Sequence, residues 1–159
     1  MVNSPQFHLK SLDIIKKKLR EDTITKWQQR WDSSSKRRHT HTCLDNIRNR
    51  LESCRTFNRD TTRILSGHAR TNEYMNKIGK RDNKNCEWCG AETQTIDHLL
   101  FHCEERRHIQ EPLRNRTREE GMDWPPAKEI LTKKMYEDFS TLCTELLNQL
   151  EDVRQERQD

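Results

Sequence analysis

Asn85-Cys86-Glu87-Trp88-Cys89-Gly90 opens the stretch NCEWCGAETQTIDHLLFHC, which closes at Cys103. Its metal-binding residue types, Cys86, Cys89, His98 and Cys103, are spaced C-x2-C-x8-H-x4-C. Three thiolates and one imidazole complete the tetrahedral shell that Zn²⁺ takes in structural sites. A filled shell leaves no position for a reactive water, so the spacing predicts a metal that organises structure. Cys-x2-Cys puts two thiolates on one tight turn, where backbone N–H groups can reach the sulfurs. Gly90, directly after Cys89, suits the left-handed geometry of such a turn. His98 and Cys103 would reach the same ion from a helical turn and its end. His102 competes, because His98 and His102 lie four apart on one helix face. Cys103 is preferred as the stronger Zn²⁺ ligand, which leaves His102 to solvent.

Around this stretch the chain offers little to anchor a fold. Of its 159 residues 30% are hydrophobic and 35% charged, with a mean hydropathy of −1.22. That is poor material for a large core and lies near the border with disorder. Gly and Pro number four each, against a loop-rich or all-β chain. Frequent Leu, Ile, Lys, Arg, Glu and Gln favour helix. The expected fold is mostly α: a small helical domain organised around a CCHC zinc knuckle. No apolar stretch approaches the ~18 residues of a membrane span. The N-terminal MVNSPQFHLK lacks the apolar core of a secretory signal. Six cysteines would suit disulfides in a secreted chain. Without a signal the expectation is a reducing, intracellular setting, nuclear or cytoplasmic, with thiols free or metal-bound. Cys43, Cys54 and Cys143 have no metal-like spacing and read as buried or free thiols.

Charge is split along the chain. Residues 1–85 hold 20 Lys+Arg against 9 Asp+Glu, a balance of +11, while residues 86–159 hold 10 against 17, a balance of −7. A basic first half suits a polyanionic partner, RNA or DNA. A solvated surface that keeps the chain soluble is the plainer alternative.

Leu12, Ile15, Leu19, Trp27 and Trp31 recur on one face of a helix expected from about Ser11 to Asp32. Lys16, Lys17, Lys18, Arg20, Lys26 and Arg30 fall mostly off that stripe. Trp27 and Trp31, four apart, are expected to pack in a core, with base stacking as the alternative. Ser33 to His39, containing Lys36, Arg37 and Arg38, reads as a flexible basic connector. Leu44 to Ser66 supports one or two helices, ended by Gly67 in the left-handed conformation. A short helix from Asn72 to Ile78 should turn Tyr74, Met75 and Ile78 inward. Thr95 is a plausible N-cap for the helix carrying His98. Pro112 interrupts the pattern after Glu104. Trp124-Pro125-Pro126 marks a turn. Ile130, Leu131, Met135, Phe139, Leu142, Leu146, Leu147 and Leu150 form a regular helical stripe, followed by a charged tail. The organisation expected is residues 1–42 as a basic connector helix and linker, 43–110 as a helical segment with the knuckle, and 111–159 as C-terminal helices.

A hydrolase has little support, because every Cys near a His is already a good zinc ligand. No Gly-rich phosphate loop, polymerase carboxylate motif or paired-acid nuclease pattern is visible, and nothing points to a small-molecule substrate.

Ile64-Leu65-Ser66-Gly67-His68 resembles the LTGH segment near the C-terminus of non-LTR (LINE-type, Jockey-like) retrotransposon reverse transcriptases. The likeness continues through Tyr74 to Gly79, Cys86 and Cys89, Glu92-Thr93, His98 to Cys103, and Arg106-Arg107. Trp27 to Asp32 resembles the W-x-x-x-W helix that joins the RNase H domain to the zinc module in that family. The resemblance covers about Leu12 to Leu150, with Ser66 and Ala69 standing where the family usually has Thr and Gly. It implies the C-terminal zinc-binding module alone, a fragment or a stand-alone descendant, without polymerase, endonuclease or RNase H portions. Such a module would hold template RNA or target DNA and catalyse nothing. The basic residues expected on phosphates are Lys16, Lys17, Lys18, Arg20, Lys26, Arg30, Lys36, Arg37, Arg38, Arg63 and Arg70, with Arg48, Arg50, Arg55 and Arg59 beside them. The rival is a zinc-stabilised helical scaffold that docks protein, such as other domains of the polymerase.

Overall fold

Among the described residues every regular element is helical, as the composition predicts. The computed structural model describes residues 5–36, 38–53 and 56–155, without the side chains of 5–10, 38 and 154. Arg37, Cys54 and Arg55 lie outside the described residues, as does the side chain of Arg38. The chain divides into two compact units, Met1–Arg55 and Thr56–Asp159. No helix is long and apolar enough to cross a membrane among the described residues.

The first unit holds α1 (Pro5–Ser33), α2 (Arg38–Cys43) and α3 (Ile47–Glu52). Helix α1 forms where expected, but its apolar stripe does not face a core. Leu12, Ile15, Leu19 and Trp27 are all exposed, Trp27 at 48%. Among the described residues, those buried on this unit's helices are Ile24, Cys43 and Ile47. Cohesion comes instead from side chains that bond to backbone. Gln28 donates to Asp45 O at 2.8 Å, and its Oε1 accepts from Ile47 N at 2.8 Å. Trp31 Nε1 donates to Leu44 O at 2.9 Å. Asn46 caps α3 by accepting from Asn49 N at 2.8 Å. Arg48 of α3 pairs with Glu21 of α1. The expected connector is shorter than Ser33 to His39, because α2 begins at Arg38. Its Thr42 hydroxyl donates back to His39 O at 2.7 Å.

The second unit is built on α8 (Tyr136–Gln155), with α4 (Arg59–Leu65), α6 (Arg107–Glu119) and α7 (Lys128–Lys133) packed against it. The stripe expected along α7 and α8 is its core. Leu131, Met135, Phe139, Leu142, Leu146, Leu147 and Leu150 are all buried. Helix α4 brings Ile64 and Leu65 to that core. Asn58 caps α4 through Thr61 N at 2.8 Å and donates to Ser140 Oγ at 2.8 Å. Gly67 ends α4 at φ 77°, with His68 N donating to Arg63 O at 3.0 Å, the six-to-one closure of a left-handed cap.

Helix α5 (Asn72–Lys77) is capped by Thr71. It half-buries Tyr74 and Met75 but leaves Ile78 exposed at 47%. Ile78 misses the interior because α5 stops at Lys77 and Gly79 reverses the chain at φ 68°. Pro112 does not break the helix after Glu104. Helix α6 runs through it, amphipathic, with Ile109 and Leu113 buried on either side. Burial of that face compensates the one backbone bond that proline removes.

Candidate metal centre

Cys86, Cys89, His98 and Cys103 converge. One ligand atom from each lies within 4.8 Å of all the others. Cys86 Sγ and Cys103 Sγ are 3.9 Å apart, and Cys89 Sγ lies 3.2 Å from His98 Nε2. Zn–S bonds of about 2.3 Å and Zn–N bonds of about 2.0–2.1 Å give tetrahedron edges of roughly 3.5–3.8 Å. The donor set and its spacing therefore fit one tetrahedral ion of the zinc type. His102 is exposed and stands outside this cluster, with its ring against Phe101.

Local folding explains how residues 17 apart in sequence meet. The Cys86–Gly90 turn closes with Gly90 N donating to Cys86 O at 2.8 Å, and Gly90 sits at φ 76°. Cys86 N donates to Ala91 O at 2.8 Å, which folds the chain after Gly90 back on the turn. The other half is a π-helical turn, His98–His102. Five residues along an α-helix would place His98 and Cys103 about 140° apart. The wider π-turn closes with Cys103 N donating to His98 O at 2.8 Å, which brings both side chains to one side. Thr95 caps the turn, its Oγ1 accepting from His98 N at 2.9 Å, as the sequence predicts.

Electrostatics suit a cation. Burial works against a thiolate at Cys86, yet backbone N–H groups of Cys89 and Trp88 and the Gln94 amide hold its thiol below the usual value. Burial, then the neighbouring Cys86 and Cys89, push the Cys103 thiol up to about 12. Two sulfurs this close resist sharing negative charge unless a positive ion sits between them. Burial, helped by His102, lowers His98, which favours the neutral imidazole that ligates metals.

A ring of side chains supports these four residues, a part that the sequence assigns to none of them. Gln94, fully buried, donates from Nε2 to Cys86 Sγ at 3.8 Å, and its Oε1 accepts from Asn72 N at 2.9 Å. Asn72 in turn donates to Asn85 O at 2.7 Å. The carbonyls of the π-turn are met from α6 and the Trp-Pro-Pro segment. Gln110 Nε2 donates to Leu99 O and Cys103 O, both at 3.2 Å. Arg114 and Trp124 donate to Phe101 O at 3.3 and 3.0 Å. Arg114 also stacks on Trp124 at 4.3 Å. Arg106 lies 4.2 Å over the Trp88 ring and donates to Gln149 of α8 at 3.0 Å, tying the Cys86–Cys89 turn to the core. A glutamine two residues after Gly-Ala-Glu carries no local signal; its partners are set by long-range folding.

The basic residues proposed for phosphates are spread over both units. Lys16, Lys17, Lys18, Arg20, Lys26, Arg30 and Lys36 are exposed on the first, and Arg59 and Arg70 on the second. Arg48 and Arg63 are engaged in ion pairs, with Glu21 and with Glu151 at 3.0 Å. Arg50 is half-buried and donates to Ser53 Oγ at 3.3 Å. Trp27 and Trp31 line one cleft of the first unit.

Over 89 residues, 55% of its length, the chain is 34% identical to the Retrovirus-related Pol polyprotein from type-1 retrotransposable element R1 of Bradysia coprophila. It spans 9% of the length of that curated relative. No protein-family model and no solved structure matches the chain.

Proposed function

We propose that this chain is a non-catalytic, zinc-stabilised nucleic-acid-binding module of non-LTR retrotransposon origin. It corresponds to the CCHC segment downstream of the RNase H domain in those reverse transcriptases. The observation that carries the reading is the closed cluster of Cys86, Cys89, His98 and Cys103, within 4.8 Å in a chain similar to a retrotransposon Pol polyprotein. Bound Zn²⁺ supplies a cross-link between the Cys86–Gly90 turn and the π-turn. With four protein ligands it has no open position for substrate. The residues around it hold shape: Gln94 steadies Cys86, while Gln110, Arg114 and Trp124 keep the π-turn open to the width His98 and Cys103 need. Exposed lysines and arginines then meet the phosphates of RNA or DNA, which position the nucleic acid without reading its sequence.

The test is capture of labelled RNA and DNA by zinc-loaded protein across a salt titration. Each phosphate neutralised contributes a log–log slope of about −0.7 on single strands and −0.9 on duplex. A steep fall in affinity with salt is expected, and a flat response or no capture overturns nucleic-acid binding. A second reading has its own observation: Leu12, Ile15 and Leu19 form an exposed apolar stripe on α1. On that reading the module is a scaffold that docks other polymerase domains, and salt would leave its association unchanged.

A further inference from the structure

The first unit contains a cleft of ≈ 560 Å³ between α1, α2 and α3, lined by two tryptophans and three cations. Its volume lies in the ~300–1,000 Å³ range of sites that take a small organic group. Trp27 and Trp31 stand four apart on α1 and so share one face. They differ in freedom. Trp31 is half-buried and pinned, its Nε1 donating to Leu44 O and its ring 5.8 Å from His41. Trp27 is 48% exposed. A fixed ring beside an accessible one is a stacking platform whose geometry is set before a ligand arrives. Arg30, Lys36 and Arg50 line the same cleft. Among the described residues no carboxylate lines it. The unit that carries it holds 13 Lys+Arg against 6 Asp+Glu over residues 1–55, a balance of +7.

We propose that this cleft binds single-stranded nucleic acid, one base stacking on Trp27 against the fixed Trp31 and flanking phosphates meeting Arg30, Lys36 and Arg50. The proposal rests on the nucleic-acid reading and deepens it in two ways. It selects unpaired strand over duplex, because only unstacked bases offer a face to an aromatic ring. It also assigns the contact to the first unit, which carries none of Cys86, Cys89, His98 and Cys103. Charge complementarity favours a polyanion here over the apolar segment of a protein partner. Stacking tolerates every base, so no sequence preference follows.

The experiment uses the full zinc-loaded chain and fluorescently labelled oligo(dT), oligo(U) and a mixed duplex, each of about 12 nucleotides, within the span of one such site. Affinities are measured by anisotropy for the parent, Trp27→Ala, Trp27→Phe and Arg30→Ala, with circular dichroism to verify unchanged helix. The expected result is tighter binding of single strand than duplex. Trp27→Ala should weaken single-strand binding about five- to hundred-fold and leave duplex binding unchanged. Trp27→Phe should recover most of that loss. Arg30→Ala should reduce the log–log salt slope by about 0.7. Equal affinity of oligo(dT) and oligo(U) assigns the site to single strands generally, while a preference for either adds a sugar contact to the same cleft. If oligonucleotides bind but Trp27→Ala is neutral, the cleft is overturned and the nucleic-acid reading stands. If no oligonucleotide binds, both fall together. A sedimentation run completes the set: self-association lost in Trp27→Ala, with oligonucleotide affinity intact, assigns the cleft to a second copy and overturns the proposal.

Discussion

The two units of this chain are held by different physics. In Thr56–Asp159 a continuous apolar stripe along α7 and α8 is buried, from Leu131 at 1% to Leu150 at 5% exposure. In Met1–Arg55 the buried hydrophobic residues described are Ile24, Cys43 and Ile47, and hydrogen bonds from Gln28, Trp31 and Asn46 to backbone groups do much of the joining. Area burial is worth about 25 cal/mol per Å², and an exposed hydrogen bond nets about 1 kcal/mol. The second unit therefore has the means to hold the Cys86, Cys89, His98 and Cys103 cluster in fixed geometry. The first retains its tryptophan and its cations at the surface, where a ligand can reach them. Rigidity and accessibility have been assigned to different parts of the chain.

Removing the metal should separate the two most strongly. Chelation of zinc-loaded protein abolishes the cross-link between the Cys86–Gly90 turn and the π-turn, in a class of site where binding contributes about 10–16 kcal/mol at neutral pH. Hydrogen exchange, read segment by segment, should rise sharply over residues 84–119 and stay unchanged in α1. Cys103→Ser should reproduce the pattern. Unchanged exchange around His98 to Cys103 after chelation would break the comparison at its root, since the second unit would then need no ion.

A smaller effect tests whether polar support matters to the metal side as well. Gln110 is fully buried and satisfies two carbonyls, Leu99 O and Cys103 O. Gln110→Ala removes the side-chain donor from Leu99 O, at about 1–3 kcal/mol, while Cys103 O keeps its bond from Arg106 N at 3.1 Å, and the melting temperature should fall by several degrees. Metal affinity should fall alongside, because the π-turn that aligns His98 with Cys103 loses its brace. A variant with lowered melting temperature and unchanged metal affinity would show that Gln110 supports the core without shaping the site.

How much of this was legible in the sequence follows the range of the interactions. The clustering of Cys86, Cys89, His98 and Cys103 was visible because Cys-x2-Cys, the glycine after it and the His/Cys pair act over a few residues. The stripe of α7 and α8 was visible because burial repeats at helical period. Gln94, Gln110, Arg114 and Trp124 were not, because a buried polar residue's partner is chosen by folding and not by its neighbours. The stripe from Leu12 to Trp31 misled for a related reason. Periodicity reports that a helix has an apolar face, and says nothing of whether enough chain is present to cover it. The π-turn was also invisible: His98 and Cys103 are five apart, a spacing that an α-helix would misalign and that only the wider turn reconciles.

The least effect concerns the pair that joins α3 to α1. The hydrogen bond from Arg48 leads the causes that lower the Glu21 carboxyl below its ordinary value, although burial opposes the shift. A carboxyl depressed in the folded state contributes stability above its unfolded pKa and loses it as pH falls through the folded value. Acidification below the ordinary carboxylate range should therefore loosen α3 on α1, seen as faster exchange of Ile47 and Arg48 amides. Glu21→Gln should remove that part of the pH dependence while leaving neutral-pH exchange nearly unchanged, since the pair is open to solvent and such pairs contribute little. The second unit has a corresponding ion pair, Glu120 with Lys134, whose first cause is likewise a hydrogen bond from the cation. There the buried stripe beneath should mask the loss. Equal acid sensitivity of α3 and α7 would mean that the polar clamps of the first unit carry no more of its cohesion than surface ion pairs carry in the second.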